Sequence, residues 1–222
     1  MSPHLNQLRA LANSLNATEM AAYHKAERPY LGLSLPQIEA LVSEWRATLD
    51  VPERVALADT LWQSDIHEAR IAAAKLLTQA RIKDDAAVWA LIASWVPDFD
   101  TWALADHACK AGEKRLTADP SRLDQVEEWL TSDNMWTRRA ALVMTLPWTK
   151  QNHPKPADEA TRDRVLGWMV MLAPDRDWFI QKTIARWLRD LSKHDAPRTH
   201  TWLDAHGESL KSFARKEAAK YL

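Results

Sequence analysis

The sequence repeats one pattern five times: IHEARIAAA (66–74), WALADHACK (102–110), MWTRRAALV (135–143), WFIQKTIAR (178–186) and SFARKEAAK (212–220). Corresponding residues are separated by steps of 36, 33, 43 and 34 residues. Within the pattern, apolar residues recur every three or four positions, which is the spacing of one face of an α-helix. Periods of this length are typical of stacked helix pairs, in which each pair leaves an apolar face for its neighbour to cover.

The sequence around these repeats also indicates helices. Windows at 66–78, 120–130 and 162–172 have the same apolar spacing, and no comparable run alternates as a strand does. Six prolines fall between helical windows, where proline starts a helix or follows its end: Pro36, Pro52, Pro97, Pro120, Pro174 and Pro197. We therefore predict about thirteen short helices, with a long turn at 148–156. The predicted fold is all-α, a right-handed α-solenoid of HEAT-like antiparallel helix pairs, C-shaped and forming a single domain over residues 1–222.

Composition excludes several classes of protein. Only four glycines occur, so the sequence contains neither a phosphate-binding glycine loop nor a dinucleotide fingerprint. Cys109 is the single cysteine, which excludes an internal disulfide and a multi-cysteine zinc site and is typical of a reducing compartment. No apolar run approaches the roughly 18 residues of a membrane span, and residues 1–15 lack the pattern of a signal peptide. We expect a cytoplasmic protein that does not bind a membrane and uses neither a metal nor a cofactor.

The fifth position of the repeats is charged in all five: Arg70, Asp106, Arg139, Lys182 and Lys216. Because this position recurs in the second helix of each predicted pair, we expect it to line one concave surface. The net charge of −1 does not by itself indicate a nucleic-acid-binding protein, so binding would depend on this arrangement. One interpretation is intrahelical salt bridging and solubility. The other is a row of cations with one catalytic acid, because a positive environment keeps a carboxylate ionised.

Tryptophans near the acidic position suit the stabilisation of a cation. Trp102 and Asp106 are four residues apart, so the indole and the carboxylate share one helix face. Trp187, further along the chain, is a candidate for a second aromatic wall. With twelve tryptophans in the chain, core packing is the alternative for each of them. Arg139 also has two interpretations, a bidentate contact with a DNA phosphate or neutralisation of a neighbouring acid.

Longer stretches that contain these repeats carry a resemblance to a known family. They are YHKAERPYLGLSLPQ (23–37), TWALADH (101–107), SDNMWTRRAAL (132–142), DWFIQKTIARWLRDLSK (177–193) and LKSFARKEAAKYL (210–222). In this order, over nearly the whole chain, they resemble the AlkD family of DNA alkylation-repair glycosylases. The resemblance implies a C-shaped stack of HEAT-like helix pairs with DNA in its concavity.

The resemblance also implies roles for particular residues. Asp106 matches the catalytic aspartate of the family, and Trp102 and Trp187 match two tryptophans that frame the lesion nucleotide. Arg139 matches an arginine that grips the DNA backbone. Tyr23 matches a tyrosine near the lesion, although by itself it would be interpreted as a core aromatic. A further implication is that the damaged base stays stacked in the duplex, whereas most glycosylases flip it into a pocket.

These observations lead to one expected function. A DNA glycosylase would excise positively charged N3- and N7-alkylated purines, such as 3-methyladenine and 7-methylguanine, through an oxocarbenium-like state stabilised by Asp106 and the flanking tryptophans. The expected partner is double-stranded DNA containing alkylated bases, bound by a monomer through its phosphates. The expected DNA-binding residues are Tyr23, Arg139, Lys182, Arg186 and Lys216. Two alternatives stay open: a non-catalytic HEAT-repeat protein that binds branched or damaged DNA, and a protein-binding scaffold.

Overall fold

The computed structural model describes residues 2–222, in which 13 α-helices are joined by loops and short 3-10 turns and no β-strand occurs. The prediction of an all-α fold with about thirteen helices is therefore confirmed. Packing divides the chain into two compact units, Met1–Arg115 and Leu116–Leu222. We describe each unit by itself, and a single domain over 1–222 stays a prediction.

The first unit contains six complete helices and most of a seventh. They are α1 (Pro3–Ala10), α2 (Ser14–His24), α3 (Leu35–Thr48), α4 (Val51–Gln63), α5 (His67–Leu77), α6 (Ala86–Trp95) and α7 (Trp102–Ala118), which runs past the unit boundary. Helix α5 is central and packs against α1, α3 and α4. Its alanines, including Ala69 and Ala72–Ala74, are fully buried, because a methyl side chain lets neighbouring helices approach closely.

The second unit is built around one amphipathic helix. Its helices are α8 (Leu123–Glu128), α9 (Met135–Met144), α10 (Pro156–Leu172), α11 (Trp178–Ser192), α12 (Ala196–His206) and α13 (Ser212–Ala218). Helix α11 packs against α9, α12 and α13. It buries Ile180, Ile184 and Leu188 on one face, at intervals of four residues, and leaves charged residues on the other. The charged face of α11 is therefore available for a ligand.

The sequence signals for helix ends are in place. Asp50 caps α4 in a reciprocal arrangement with Glu53, and Asn134 and Asp177 cap α9 and α11. Pro36, Pro52 and Pro197 lie in the first turns of their helices. Backbone N–H groups in the first turn have no partner within the helix, so a proline there costs no hydrogen bond. The five repeats fall on α5, α7, α9, α11 and α13, each of which follows another helix in the chain. The prediction that the repeat occupies every second helix is confirmed.

Two further observations concern what residues 2–222 contain. No helix in this range is both long enough and apolar enough to cross a membrane. Within the same range, no group of three His, Cys, Asp or Glu side chains is arranged to hold a metal ion. Cys109 is a fully buried thiol on α7.

Candidate functional site

Two of the expected site residues meet in the first unit through their aromatic rings. Tyr23, at the end of α2, and Trp102, at the start of α7, lie edge to face with ring centroids 6.3 Å apart. Both are exposed, Tyr23 by 68 % and Trp102 by 40 %, which is unusual for large rings that contact each other. His24 packs beside them, 5.7 Å from Trp102. Tyr23 is therefore a surface aromatic, and the interpretation of it as a core residue is wrong.

Two more rings, those of Tyr30 and His67, pack against His24. His24 and His67 have centroids 4.5 Å apart, and Tyr30 stacks on His67 at 4.8 Å. We call these five rings, Tyr23, His24, Tyr30, His67 and Trp102, the aromatic cluster. Its base is His67, which is only 1 % exposed and has no hydrogen-bond partner for either ring nitrogen among the described residues. Burial lowers the pKa of His67 to about 3, so the ring is neutral at pH 7.

The loop that carries Tyr30 is held by one buried carboxylate. Glu68 accepts hydrogen bonds from the backbone N–H groups of Leu31, Gly32 and Leu33, at 2.9, 2.6 and 3.3 Å. The side chain is fully buried, and these three donors replace the water that the carboxylate has lost. Gly32 has φ of +78°, and a Cβ there would lie 2.2 Å from the carbonyl oxygen of Asn13. Glu68 and Gly32 together fix the conformation of this loop over the first turn of α5.

Asp106 lies one helical turn after Trp102 on α7 and is half-buried. The four-residue spacing places its carboxylate on the same side of the helix as the Trp102 indole. His107, the next residue, contributes instead to a groove with Glu39 and Lys75. Burial and the Lys75 charge lower the pKa of His107, while the Asp106 carboxylate opposes them. The Asp106 carboxylate and the exposed Trp102 ring therefore lie one turn apart on α7, and the exposed Tyr23 ring at the end of α2 contacts Trp102.

In the second unit, the basic side chains of α11 form ion pairs with acids of α11 and α13. Lys182 Nζ lies 2.5 Å from Glu217 of α13, and Arg189 lies 2.6 Å from the other oxygen of the same carboxylate. Arg189 also contacts Asp190 at 3.0 Å, and Arg186 lies 3.9 Å from Asp190. We call these five residues, Lys182, Arg186, Arg189, Asp190 and Glu217, the basic face. Its cations are held by acids rather than extended freely into solvent.

Arg138 and Arg139 have different environments. Arg138 is bound by Asp175 and by the backbone carbonyls of Ser132 and Asp133, which fixes the entry to α9. Arg139 is 7 % exposed, donates from Nε to Thr183 Oγ1 at 3.1 Å and lies over a tryptophan ring. Arg138 is thus occupied as a loop anchor. The assignment of a phosphate contact to Arg139 stays a prediction.

Trp187 is fully buried in the second unit, and its indole N–H donates to Thr145 Oγ1 at 3.2 Å. Such a ring has no free face for a nucleotide, so its position does not match the expected aromatic wall. Neighbouring residues on a helix point about 100° apart, and the exposed residue here is Arg186, immediately before Trp187. The resemblance pointed to this segment of α11 but did not determine which of two adjacent residues faces outward.

The fifth positions of the repeats are not equally exposed. Arg70 is 11 % exposed, donates to the Trp62 carbonyl at 3.1 Å and pairs with Asp65 at 3.2 Å. Lys182 is half-exposed and paired, whereas Lys216 is exposed. Arg70 does form a salt bridge, but its partner Asp65 lies in the loop before α5 rather than within the helix. The common concave surface expected for all five positions stays a prediction.

Sequence reasoning missed the residues that support these surfaces. Glu68 and His67 lie in a charged, alanine-rich repeat that resembles a solvated helix start, so their burial has no sequence signal. Gln181 is fully buried and binds the carbonyls of Ala173 and Asp175 while accepting from the backbone of Lys211. Glu217 occupies the sixth position of the last repeat, next to Lys216, and that adjacency of opposite charges was the one available signal.

One comparison with known proteins shows the family of this chain, to which it therefore belongs. The family described as DNA alkylation repair enzyme matches residues 4–222 of the chain. No curated protein gives a significant match. Among solved structures, a protein of Enterococcus faecalis described as a predicted DNA alkylation repair enzyme superposes with a TM-score of 0.77 at 22 % identity, covering 95 % of this chain and 96 % of that one. AlkD2 from Streptococcus mutans gives a TM-score of 0.63 at 21 % identity, covering 86 % and 91 %. At these identities the two structures support the fold.

Proposed function

Because the chain belongs to the family of DNA alkylation repair enzymes, we propose that it is a DNA glycosylase that excises N3- and N7-alkylated purines. Its substrate would be double-stranded DNA containing bases such as 3-methyladenine and 7-methylguanine. The reaction is hydrolysis of the N-glycosidic bond. No cofactor is required by the steps below.

The observation that carries this proposal is the arrangement around Trp102. Its exposed ring lies edge to face with exposed Tyr23, and the half-buried carboxylate of Asp106 follows one turn later. Electron-rich ring faces and a carboxylate attract cations, and a desolvated carboxylate does so more strongly than one in water. This combination is suited to a positively charged sugar and base rather than to a neutral ligand.

The chemistry needs such a site because an alkylated purine already carries a positive charge. The bond between C1′ of the sugar and N9 of the base breaks, and its electron pair goes to N9, so the base leaves neutral. The positive charge moves to the sugar as an oxocarbenium ion, which the Asp106 carboxylate stabilises. Water then attacks C1′ and transfers a proton to Asp106, a general-base contribution of typically about 10²–10⁴ in rate.

The second unit would supply affinity through phosphates. The exposed cations on α11 and α13 carry charge without groups arranged to read base edges. Lys216, Arg186 and Lys182 are the proposed contacts on these two helices. Arg139 of α9, which is only 7 % exposed, is proposed as a fourth contact on the resemblance alone. Because the rings of Tyr23 and Trp102 are open to solvent, the proposal includes recognition of the lesion without base flipping.

In this proposal Trp187 does not frame the lesion nucleotide, which is the role that the resemblance implied for it. Its buried indole bonds to Thr145 and supports the core beneath the basic face. Trp102 and Tyr23 are then the aromatic contacts, and Trp187 is a structural residue of α11. Replacing Trp187 by Phe would remove that one hydrogen bond and lower stability while leaving the surface rings in place.

The decisive experiment measures base release from duplex DNA. Purified protein is incubated with duplexes carrying 7-methylguanine, 3-methyladenine, hypoxanthine or uracil, and abasic sites and released bases are quantified. We expect release of the two cationic bases and none of the neutral ones, because no general acid is proposed to protonate a neutral leaving base. Robust uracil release would contradict this mechanism.

The same experiment separates the alternatives. A structural binder of branched or damaged DNA would bind duplexes or junctions in a gel-shift assay without releasing any base. A protein-binding scaffold would show neither binding nor release. The structure favours the glycosylase over both, because neither alternative needs a half-buried carboxylate beside two exposed rings.

A further inference from the structure

The basic face of α11 contains two acids whose exposure differs from that of the cations around them. Glu217 and Asp190 have 16 % and 15 % of their side chains exposed, whereas Lys182 and Arg186 have 44 % each. Arg189 is intermediate at 27 %. The carboxylates therefore lie beneath a layer of cationic heads, and a molecule that approaches this surface meets the cations first.

Glu217 has a special position among these residues because one carboxylate binds two cations. Its Oε2 lies 2.5 Å from Lys182 Nζ, and its Oε1 lies 2.6 Å from Arg189. Both cations belong to α11, and Glu217 belongs to α13, which packs against α11. The residue therefore fixes two side chains and cancels one unit of their charge at the same time.

These two effects act in opposite directions on an incoming phosphate. Holding Lys182 and Arg189 in place reduces the entropy lost when they bind, which favours binding. The Glu217 carboxylate lies within about 3 Å of both cationic groups and cancels one positive charge. This weakens their attraction for a phosphate and reduces the number of counterions that binding releases. Lys182 is half-exposed, so a phosphate that approaches it also meets the repulsion of the Glu217 carboxylate, 2.5 Å from its Nζ. We take this charge effect to be the larger of the two.

We propose that Glu217 is an affinity-limiting residue, which weakens the grip of Lys182 and Arg189 on undamaged DNA. The inference rests on the proposed function and names a specificity role that the reaction itself does not require. A repair enzyme meets a vast excess of undamaged duplex, so tight binding through phosphates alone would slow both its search and its release of product. A buried acid under the cations lowers that background affinity while the aromatic cluster and Asp106 are left unchanged.

The test is the variant Glu217→Gln, which keeps size and shape but removes the charge. Binding to an undamaged duplex is measured from about 0.05 to 0.3 M salt for wild type and variant. We expect a dissociation constant about three- to tenfold lower for the variant near 0.1 M salt, with a salt slope steeper by up to about one unit. Glu217→Asp retains the charge and should bind like wild type.

A matched control and a coupling measurement make the result specific. Glu44→Gln removes one exposed acid from α3, so it changes the net charge equally and should leave binding unchanged. Lys182→Gln should reduce the gain produced by Glu217→Gln, because the proposed effect acts through that lysine. Melting temperatures establish that each variant is folded. If Glu217→Gln does not fold, Asp190→Asn tests the same surface from α11 and should tighten binding in the same direction.

The outcomes separate the inference from the proposed function. Unchanged or weaker binding by folded Glu217→Gln, with wild type binding normally, would show that Glu217 serves only to order the cations and would overturn the inference alone. A wild-type protein that binds no duplex at any salt concentration would overturn both. The full expected result for Glu217→Gln is tighter binding of the undamaged duplex together with slower steady-state turnover.

Discussion

The aromatic cluster and the basic face both build an exposed layer over a buried one, but with opposite chemistry. In the aromatic cluster, exposed Tyr23 and Trp102 contact His24, which packs on His67. His67 is a neutral ring with no hydrogen bonds among the described residues. In the basic face, half-exposed Lys182 and Arg186 pair with the less exposed carboxylates of Glu217 and Asp190.

This difference indicates how each surface would treat a ligand. Rings supported by a base that is neutral at pH 7 keep their attraction for a cation, because the base itself adds no positive charge. Cations that are paired with acids are held in a fixed geometry, but their electrostatic attraction for a phosphate is reduced. The first arrangement favours strong, local stabilisation, and the second favours weak, reversible contact with a polyanion. The predictions below test the two arrangements separately.

The largest expected effect is on Asp106, the acid next to the aromatic cluster. Asp106→Asn preserves size and removes the charge, so excision of 7-methylguanine should fall by about 10² or more, equivalent to roughly 2.7 kcal/mol of transition-state stabilisation. Binding to undamaged DNA should stay level or tighten slightly. Single-turnover base release and thermal melting are measured together.

A control distinguishes this result from a general loss of charge or fold. Glu39→Gln removes another carboxylate from the same unit, paired with Lys75, and should retain excision. If folded Asp106→Asn excised bases at the wild-type rate, the carboxylate would have no catalytic role. A lower melting temperature with intact activity per folded molecule would make Asp106 a structural residue.

The second prediction concerns the loop that carries Tyr30 into the aromatic cluster. Gly32→Ala places a Cβ 2.2 Å from the Asn13 carbonyl oxygen in a left-handed backbone conformation, and should cost about 2–3 kcal/mol of unfolding free energy. Gly167→Ala is the matched control, because its Cβ has nothing within 4 Å and lies in α10. That change should stabilise by about 0.5–1 kcal/mol. Chemical denaturation measures both, and equal effects would contradict the close approach at Gly32.

The fold was largely predictable because it depends on patterns of many residues. Helix number, the place of the repeat on every second helix and the prolines in first turns all follow from apolar spacing and backbone chemistry, and they agree with the structure. The pair Trp102 and Asp106 was found for the same reason, since a spacing of four fixes a common helix face. Signals of this kind survive small errors in register.

The site was less predictable where one residue decides the outcome. Trp187 and Arg186 are neighbours, and a sequence motif does not tell which of them points into the core. Glu68 is of a residue type usually found on the surface, yet it is buried and binds three backbone N–H groups of a loop more than 30 residues earlier in the chain. Long-range contacts of this type leave no local pattern. The pairing of Lys182 with Glu217 was missed for the same reason.

The third prediction uses the neutral base of the aromatic cluster. The pKa of His67 is about 3 in the folded protein and 6.5 in the unfolded chain, so the unfolded chain binds the extra proton. Its contribution to stability is therefore complete above about pH 6.5 and is lost as pH falls towards 3, by up to about 1.4 kcal/mol per pH unit. Between pH 7 and 5 this amounts to about 2 kcal/mol.

The variant His67→Phe isolates that contribution, because it keeps a ring of similar size that does not titrate. Its unfolding free energy should fall less than that of wild type between pH 7 and 5. His153→Phe replaces an exposed histidine and should retain the wild-type pH dependence. An equal pH dependence for wild type and His67→Phe would mean that His67 is hydrated in the folded protein.

The smallest expected effect compares two lysines of the second unit that the repeat places in equivalent positions. Lys216 is exposed, whereas Lys182 is paired with Glu217. If both contact phosphates, Lys216→Gln should lower the salt slope of duplex binding by about one unit, because a whole counterion-releasing contact is lost. Lys182→Gln should lower it by less, since Glu217 already neutralises part of that charge. Titrations of one undamaged duplex at four or more salt concentrations resolve this difference. Equal slopes for the two variants would show that DNA displaces Glu217 completely from Lys182, and a slope unchanged by Lys216→Gln would place α13 outside the DNA contact.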